Sequence, residues 1–364
     1  MRDLVFRMSI LCIAAICVSA ARADTVPVSP VVKDMLTSTL ENYIQPAYLN
    51  LEAATKSFNS TADLLCEKPA TQNLEAVRSA FRDVAYAWSQ IEWLRVGPVM
   101  DQNRLERILY YPDRKSIGLR QVQRALAKEE PSVVSVETLS KKSVAMQGLG
   151  AADFLLSGTG NEVLVEEAQS HRCNYLAAIA ENLHVLSTEI SSQWSSGQPL
   201  AEAWLLPNQD NLLFRDDLEA KNFLIGTLIH GLEAIKDVRI GAFLRESAER
   251  DRPKSALFWR SALTMHTIAG NLAGMQKYYE DSELYKLLPE ENAYLNDEFL
   301  FEMKNLIEVA GSLDMPISNL LEEEAARGKL AFLQLSVGFL VTKLDGPFAS
   351  AAGLAAGFSF GDGD

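Results

Sequence analysis

Residues 29–51 read SPVVKDMLTSTLENYIQPAYLNL, and their apolar side chains recur at the three- and four-residue spacing of an amphipathic helix. Ser29 followed by Pro30 is typical of a helix start, with the serine as N-cap and the proline in the first turn. The apolar stripe continues to Leu51. Pro46 cannot donate a backbone hydrogen bond, so we expect a kink there. This stretch predicts a long first helix.

Helical periodicity continues along the rest of the chain, with no convincing run of alternating strand residues. A second helix from about residue 74 is expected to end at Gly97-Pro98, before a long loop over 97–118. We expect further helices near 134–156, 161–195, 215–244, 254–280, 294–312 and 316–343. The sequence therefore predicts an all-α protein of two four-helix bundles packed side by side, comprising residues 24–196, a connecting segment at 197–214, and residues 215–364.

Residues 1–23 have the pattern of a secretory signal peptide. Arg2 and Arg7 lead into an apolar run, and Ala21-Arg22-Ala23 is a small-x-small cleavage site. We expect cleavage just before Asp24. The apolar run is too short to cross a bilayer comfortably and no later stretch replaces it, so no transmembrane segment is expected in the mature protein.

Cys66 and Cys173 are the two cysteines that would remain after cleavage, and exported proteins usually oxidise their thiols. They are predicted to form a disulfide. The 364-residue chain has a formal net charge of −14 at pH 7. Nucleic acid and anionic lipid are therefore not expected as partners on electrostatic grounds, because binding phosphates needs clustered Lys and Arg.

One helical face carries a possible metal site. The chain lacks the common zinc-protease, nucleophile-elbow, phosphate-loop and calcium-loop motifs. His230, Glu233 and Asp237 would fall within one arc of a helix and could present three ligands to one ion. The competing interpretation is a solvated face, because Leu228 and Ile235 lie roughly opposite.

The segment around Asp153 is a poor helix former because it contains Gly148 and Gly150, so tertiary packing must hold it. Asp153 is interpreted in two ways. It is either a buried carboxylate with a raised pKa or a charged partner, or a structural hydrogen-bonding group where glycines let helices cross closely.

Two further sets combine tryptophan with charge. Trp88, Glu92 and Arg95 fall along one stripe, where Glu92 and Arg95 could pair at i, i+3 as a polar pocket wall or as an ordinary interhelical salt bridge. Trp259 and Arg260 make a similar set with His266 in the second half, although Trp259 fits a core position better than a ligand platform.

The order of these motifs resembles the imelysin-like proteins of the bacterial periplasm. The matching segments cover nearly the whole mature chain and are Trp88–Pro98, Tyr111–Asp113, Gly148–Gly158, Leu228–Arg239, Arg252–Arg260 and Gly357–Asp364. The resemblance implies two related helical bundles with a functional site between them. It also implies a periplasmic protein that is often iron-regulated and linked to iron uptake.

The hallmark of that family is Gly-x-His-x-x-Glu, and the matching positions here are Gly148, Gly150 and Asp153. Because glycine has no side chain to ligate a metal, a catalytic zinc at this motif would lose a ligand. The peptidase activity for which the family is named is therefore not expected in this member.

We expect a non-enzymatic binding component for iron or an iron-linked ligand. Its cleft residues are predicted to be Trp88, Glu92, Arg95, Gly148, Gly150 and Asp153. Ferric iron suits hard carboxylate ligands, and zinc is the less favoured metal. Two alternatives stay open, a metallopeptidase of the same family and an interaction module that docks on an outer-membrane or periplasmic protein.

Overall fold

A computed structural model describes residues 28–211 and 213–354, and within these ranges the chain is helical and contains no β-strand. The α-helices of the described residues are α1 (Pro30–Ser38), α2 (Gln45–Glu67), α3 (Thr71–Ile91), α4 (Arg104–Ile108), α5 (Ile117–Ala127), α6 (Val136–Leu139), α7 (Leu149–Ser157), α8 (Val163–Glu166), α9 (His171–Trp194), α10 (Pro199–Leu205), α11 (Asp217–Glu233), α12 (Thr264–Asp281), α13 (Tyr294–Gly311), α14 (Ile317–Glu322), α15 (Glu324–Lys343) and α16 (Ala349–Ala351). The predicted all-α fold is confirmed. The predicted signal peptide and the Gly357–Asp364 motif lie outside the described residues.

The first long helix begins as predicted, because the Ser29 hydroxyl accepts the N–H of Val32 and Pro30 occupies the first turn. The backbone then passes from α1 through a π-helical turn, Thr39–Ile44, into α2. Pro46 lies in the first turn of α2, directly after the π-helical turn. Pro46 has no N–H to donate to the preceding turn. The hydrogen bonds of a π-helical turn span one more residue than those of an α-helix, and the chain stays helical past the proline.

Several helices are shorter than the periodicity predicts. The region 134–156 divides into α6, a short 3-10 turn and α7, because Gly148 is extended where α7 begins. The region 254–280 contains a short 3-10 turn at Pro253–Ser255 and is α-helical only from the start of α12, since Phe258 and Ala262 have positive φ values of 57° and 59°. The predicted loop at 97–118 contains a 3-10 segment and α4.

The long helices pack in two groups that touch each other. In the first group α2 packs along α3 and α9, and in the second α12 packs on α13 while α15 packs on α11 and α13. Helix α3 also packs along α12, which joins the groups. The predicted connecting segment contains α10, whose Trp204 is fully buried beside Trp194 and Phe214. The exact domain boundaries stay predictions.

Cys66 and Cys173 form the predicted disulfide, which joins the end of α2 to the start of α9 across 107 residues. Closing a loop of that length contributes roughly 4–5 kcal/mol of stability in the chain-entropy model. None of the helices in the described part of the chain is long and apolar enough to span a bilayer.

Candidate functional site

A cavity of about 570 Å³ opens where four segments of the chain meet. Its walls come from the region 110–122, the stretch 145–154 that includes the first half of α7, the stretch 237–245 that follows α11, and the irregular stretch 252–260 before α12. The first two segments belong to the predicted first half of the chain and the last two to the second half. Of the six residues predicted for a cleft, Gly150 and Asp153 line this cavity.

Asp153 is the buried carboxylate of the cavity, with 3% of its surface exposed. The Ser261 hydroxyl donates a hydrogen bond of 2.5 Å to Asp153 Oδ1, and Arg260 Nη1 lies 4.0 Å from Oδ2. Removal from water raises the pKa of Asp153 to about 6, while Ser261 and Arg260 act in the opposite direction. Both interpretations drawn from the sequence apply, since Asp153 has a raised pKa and is also hydrogen bonded across the two halves.

The Arg260 guanidinium lies between two aromatic rings of the cavity wall. Its central carbon is 4.4 Å from the centre of the Trp259 ring and 5.4 Å from that of Phe154. Cations are attracted to aromatic faces at such distances. Burial lowers the pKa of Arg260 and the Asp153 carboxylate offsets part of that effect. Trp259 is half-buried, so it lines the cavity and also packs against the core, the position that the sequence favoured.

Glu92 does not line the cavity but is connected to it through Arg239 and Tyr111. Its Oε1 atom accepts a 2.8 Å hydrogen bond from Arg239 Nη1, and the Arg239 guanidinium lies 5.8 Å from the Tyr111 ring centre. Tyr111 lines the cavity and donates its hydroxyl to the Ser255 carbonyl oxygen at 3.0 Å. Burial raises the pKa of this phenol. Glu92 therefore helps to position Tyr111, and its ion-pair partner is Arg239 instead of the predicted Arg95.

Trp88, Arg95 and Gly148 lie outside the cavity lining. Trp88 is buried in the core, and Arg95 is exposed beyond the end of α3. A Cβ atom on Gly148 would lie 2.4 Å from the Ile108 carbonyl oxygen, so Gly148 permits a close backbone contact. A Cβ atom on Gly150 would meet nothing within 4 Å, because this position opens into the cavity.

The residues His230, Glu233 and Asp237 are not gathered as one group. His230 Nδ1 and Glu233 Oε2 pair at 3.0 Å, whereas Asp237 lines the cavity and lies 3.4 Å from Lys236 Nζ. A π-helical turn begins at Ala234, which changes the register on which the predicted ligand face depended. Within residues 28–211 and 213–354, no three His, Cys, Asp or Glu side chains form a group that could hold a metal ion.

Sequence reasoning did not single out the basic side chains of the cavity. Arg114, Arg245, Arg252 and Lys254 all contribute to its lining. Arg252 and Lys254 belong to a segment that resembles the family. They lie in an irregular stretch, however, and helical periodicity cannot show that such a stretch lines a site. The feature of the sequence that could have indicated them is the density of basic residues between 245 and 260 in an otherwise acidic chain.

Comparisons with known proteins agree on a family. A sequence model described as Imelysin matches residues 44–342. An imelysin-like protein from Psychrobacter arcticum 273-4 has a similar structure, with a TM-score of 0.72, 17% sequence identity, and coverage of 90% of this chain and 97% of that one. A protein from Parabacteroides distasonis ATCC 8503, provisionally described as an iron-regulated protein A precursor, has a TM-score of 0.68, 15% identity, and coverage of 87% and 96%.

No curated protein sequence matched the chain. The two solved structures are too distant in sequence to show more than a shared fold. The match of the family sequence model is different in kind, because it extends over most of the chain and includes every segment that lines the cavity. This chain belongs to the imelysin family.

Proposed function

We propose that this protein is a periplasmic, non-catalytic binding component of iron uptake that holds a small ligand in the cavity beside Asp153. The observation that carries the proposal is the cavity itself. Its volume of about 570 Å³ is in the range of small-molecule sites, roughly 300–1,000 Å³. Such sites combine aromatic walls with a few convergent polar groups, here Trp259 and Phe154 with Asp153 and Arg260.

Export and the link to iron have separate support. The pattern of residues 1–23 favours export, and one structural relative is described as an iron-regulated precursor. That description belongs to the relative, and we extend the link to iron to this chain as part of the proposal.

The non-catalytic part of the proposal is supported by Gly150. A side chain at this position would have open space around its Cβ atom, so the cavity could accommodate the histidine of the family hallmark. This chain has glycine there, and it supplies no imidazole to bind a zinc ion or activate water.

Filling the cavity tests the binding function. Gly150→Phe places a ring in the cavity without a clash at Cβ, and Gly328→Phe is the matched control on α15, where a Cβ atom also has open space but does not line the cavity. Three ferric probes are compared by calorimetry and thermal melting, namely ferric citrate, a ferric trishydroxamate and a ferric triscatecholate. We expect at least one to bind the wild type and the control but not Gly150→Phe. Failure of all three, or equal binding by Gly150→Phe, would contradict the proposal.

A peptidase assay addresses the contrasting activity. The purified protein, loaded with zinc, is incubated with an unfolded protein substrate with and without a chelator. We expect no chelator-sensitive cleavage. Cleavage that is lost in His230→Ala would instead assign a catalytic metal to the helix α11.

A further inference from the structure

The cavity is basic although the protein is acidic. Three carboxylates line it, from Asp113, Asp153 and Asp237, and five cationic side chains outnumber them, from Arg114, Arg245, Arg252, Lys254 and Arg260. The whole chain has a formal net charge of −14 at pH 7. A local excess of positive charge on such a background favours an anion at this place over a bare cation.

The three carboxylates are already engaged by protein groups. Asp113 accepts the backbone N–H groups of Ile117 at 2.7 Å and Leu119 at 3.2 Å, which caps the start of α5. Asp153 accepts the Ser261 hydroxyl, and Asp237 lies beside Lys236. Each carboxylate therefore has a protein partner that offsets part of its charge, and the five cationic side chains leave the lining with a net positive charge.

Arg260, in contrast, has hydrogen-bonding capacity to spare. A guanidinium carries five N–H donors, and among the described residues none of those of Arg260 makes a hydrogen bond to a protein atom. Its one ion contact is the 4.0 Å approach to Asp153. Trp259 and Phe154 both contact the group, which restricts its motion before a ligand arrives.

Lys254 provides a second positive charge near the first. Its Nζ atom lies 5.8 Å from the centre of the same Trp259 ring, and within the described chain it forms no ion pair. Gly150 and Ala151, in the first turn of α7, also line the cavity and place the positive end of that helix dipole at its wall.

We propose that the cavity binds a small polycarboxylate, with one carboxylate on the Arg260 guanidinium and a second on Lys254. This inference rests on the proposed function and names its ligand class. The planar fork of Arg260 matches a carboxylate with two parallel hydrogen bonds. Carboxylates spread single charges over the site, whereas a phosphate would concentrate up to two beside Asp153. Polycarboxylate oxygens are also hard ligands for ferric iron, so iron would enter as an anionic chelate.

Calorimetry with defined probes tests the ligand class on the full mature protein. The probes are metal-free citrate, ferric citrate, the neutral trimethyl ester of citrate, and inorganic phosphate. We expect citrate or ferric citrate to bind, more weakly as salt is added, and the ester and phosphate to bind at least tenfold more weakly. Binding of metal-free citrate identifies the metal-free polycarboxylate as a ligand, and binding of ferric citrate alone identifies the chelate.

Three variants connect the binding to the named cations. Arg260→Gln and Lys254→Gln each remove one positive charge, and Arg124→Gln is the control, an exposed residue on α5 outside the cavity lining. Loss of a charge-assisted hydrogen bond is expected to weaken citrate binding roughly ten- to hundredfold in the first two variants. The control should bind as the wild type does. Lys254 is exposed, so its variant should fold even if Arg260→Gln does not.

The outcomes separate this inference from the function on which it rests. If the ferric trishydroxamate binds in a way that Gly150→Phe blocks, while neither citrate form binds, the polycarboxylate inference is wrong and the binding function stands. Tighter binding of phosphate, equal binding of the ester, or unchanged binding in both cation variants would also overturn the inference. If only metal-free citrate binds, the polycarboxylate inference stands and the iron-linked function is wrong. If neither the ferric probes nor metal-free citrate bind, both proposals are wrong.

Discussion

A Cβ atom placed on Gly148 would lie 2.4 Å from the carbonyl oxygen of Ile108, whereas one placed on Gly150 would meet nothing within 4 Å. The two glycines therefore have different structural roles: Gly148 permits a close backbone contact, and Gly150 leaves space in the cavity. We expect Gly148→Ala to lower the free energy of unfolding by roughly 1–3 kcal/mol, as overpacking usually does. Gly150→Ala should be neutral or gain up to about 1 kcal/mol, because alanine favours a helix. Urea unfolding of both variants measures the contrast, and equal effects would refute it.

Asp153 should make stability depend on pH. Its pKa is raised from the usual 3.8 to about 6 by burial, against the opposing effects of Ser261 and Arg260. A carboxyl with a raised folded-state pKa contributes stability that is present below pH 4 and lost as the pH rises through 6. Asp153→Asn removes this titration and keeps an oxygen to accept the Ser261 hydroxyl.

The stability of Asp153→Asn relative to the wild type should therefore increase between pH 4 and pH 7, by roughly 3 kcal/mol for a shift of about two pKa units. Urea unfolding at several pH values measures this difference. The matched control is Asp314→Asn, on an exposed aspartate. Parallel pH profiles for wild type and Asp153→Asn would show that the carboxyl does not titrate in this window.

The sequence predicted which residues share a site when they are close together in the chain. It missed contacts between residues that are far apart in the chain. Gly150 and Asp153 share a cavity wall because they lie one turn apart on α7. Glu92 did not pair with Arg95, because α3 ends at Ile91 and the i, i+3 spacing then has no helix to act on. Its actual partner, Arg239, is 147 residues away in the chain, so helical spacing cannot predict the pair.

At the scale of elements, α7 depends on one arginine from another helix. Arg172, on α9, donates hydrogen bonds to the carbonyl oxygens of Phe154 at 2.7 Å, Leu155 at 2.8 Å, Thr159 at 2.9 Å and Gly158 at 3.2 Å. These oxygens lie at or just beyond the C-terminal end of α7, where backbone donors are few. The Gly158 N–H bonds the Phe154 carbonyl oxygen, and Arg172 supplies the further donors. Arg172 therefore fixes the helix that carries Asp153.

We expect Arg172→Met to lower the free energy of unfolding by roughly 3 kcal/mol or more, because four carbonyl oxygens lose a charged donor. Arg78 is the matched control, since it donates to the Leu156 carbonyl oxygen of the same helix at 3.1 Å but is partly exposed. Arg78→Met should cost about 1 kcal/mol or less. Urea unfolding and hydrogen exchange of the α7 amides measure both, and a similar loss in the two variants would contradict the special role of Arg172.

The periodicity predicted the helices α9, α13 and α15 well, because each is long and buries a regular stripe. It followed the first helix only to Leu51, whereas α2 continues to Glu67. It missed the π-helical turns at 39–44, 234–240 and 344–348, since one extra residue barely disturbs a pattern of apolar spacing. It also missed the irregular stretch at 253–263, which contains the apolar Phe258, Trp259 and Leu263 at helix-like spacing. This is the stretch that forms much of the cavity.

At the scale of the whole molecule, the cavity could not be predicted from composition. A net charge of −14 describes the average surface and favours a cation as partner. The cavity gathers basic residues from two stretches that lie far apart in sequence, around 114 and at 245–260. The charge of a site depends on which segments the fold brings together. The excess of basic side chains on which the anion proposal rests is therefore visible in the assembled structure and not in the composition.

The contact between α3 and α12 joins the two helical groups, and two glycines of α12 make it possible. A Cβ atom on Gly274 would lie 2.3 Å from the Gln90 carbonyl oxygen, and one on Gly270 would lie 2.1 Å from the Ser89 hydroxyl. Between them, Asn271 donates a 2.6 Å hydrogen bond to the Ser89 carbonyl oxygen. The spacing Gly-x-x-x-Gly is visible in the sequence, but its partner helix is not.

We expect Gly274→Leu to push the two helices apart and to lower the free energy of unfolding by roughly 1–3 kcal/mol or more. The matched control is Gly226→Leu on α11, where a Cβ atom has open space. Because the α3–α12 contact couples the halves, calorimetry should show one transition for wild type and control and two for Gly274→Leu. A single transition at an unchanged temperature in Gly274→Leu would mean that other contacts carry the coupling. Two transitions with proteolysis confined to 197–214 would also support the predicted division of the chain.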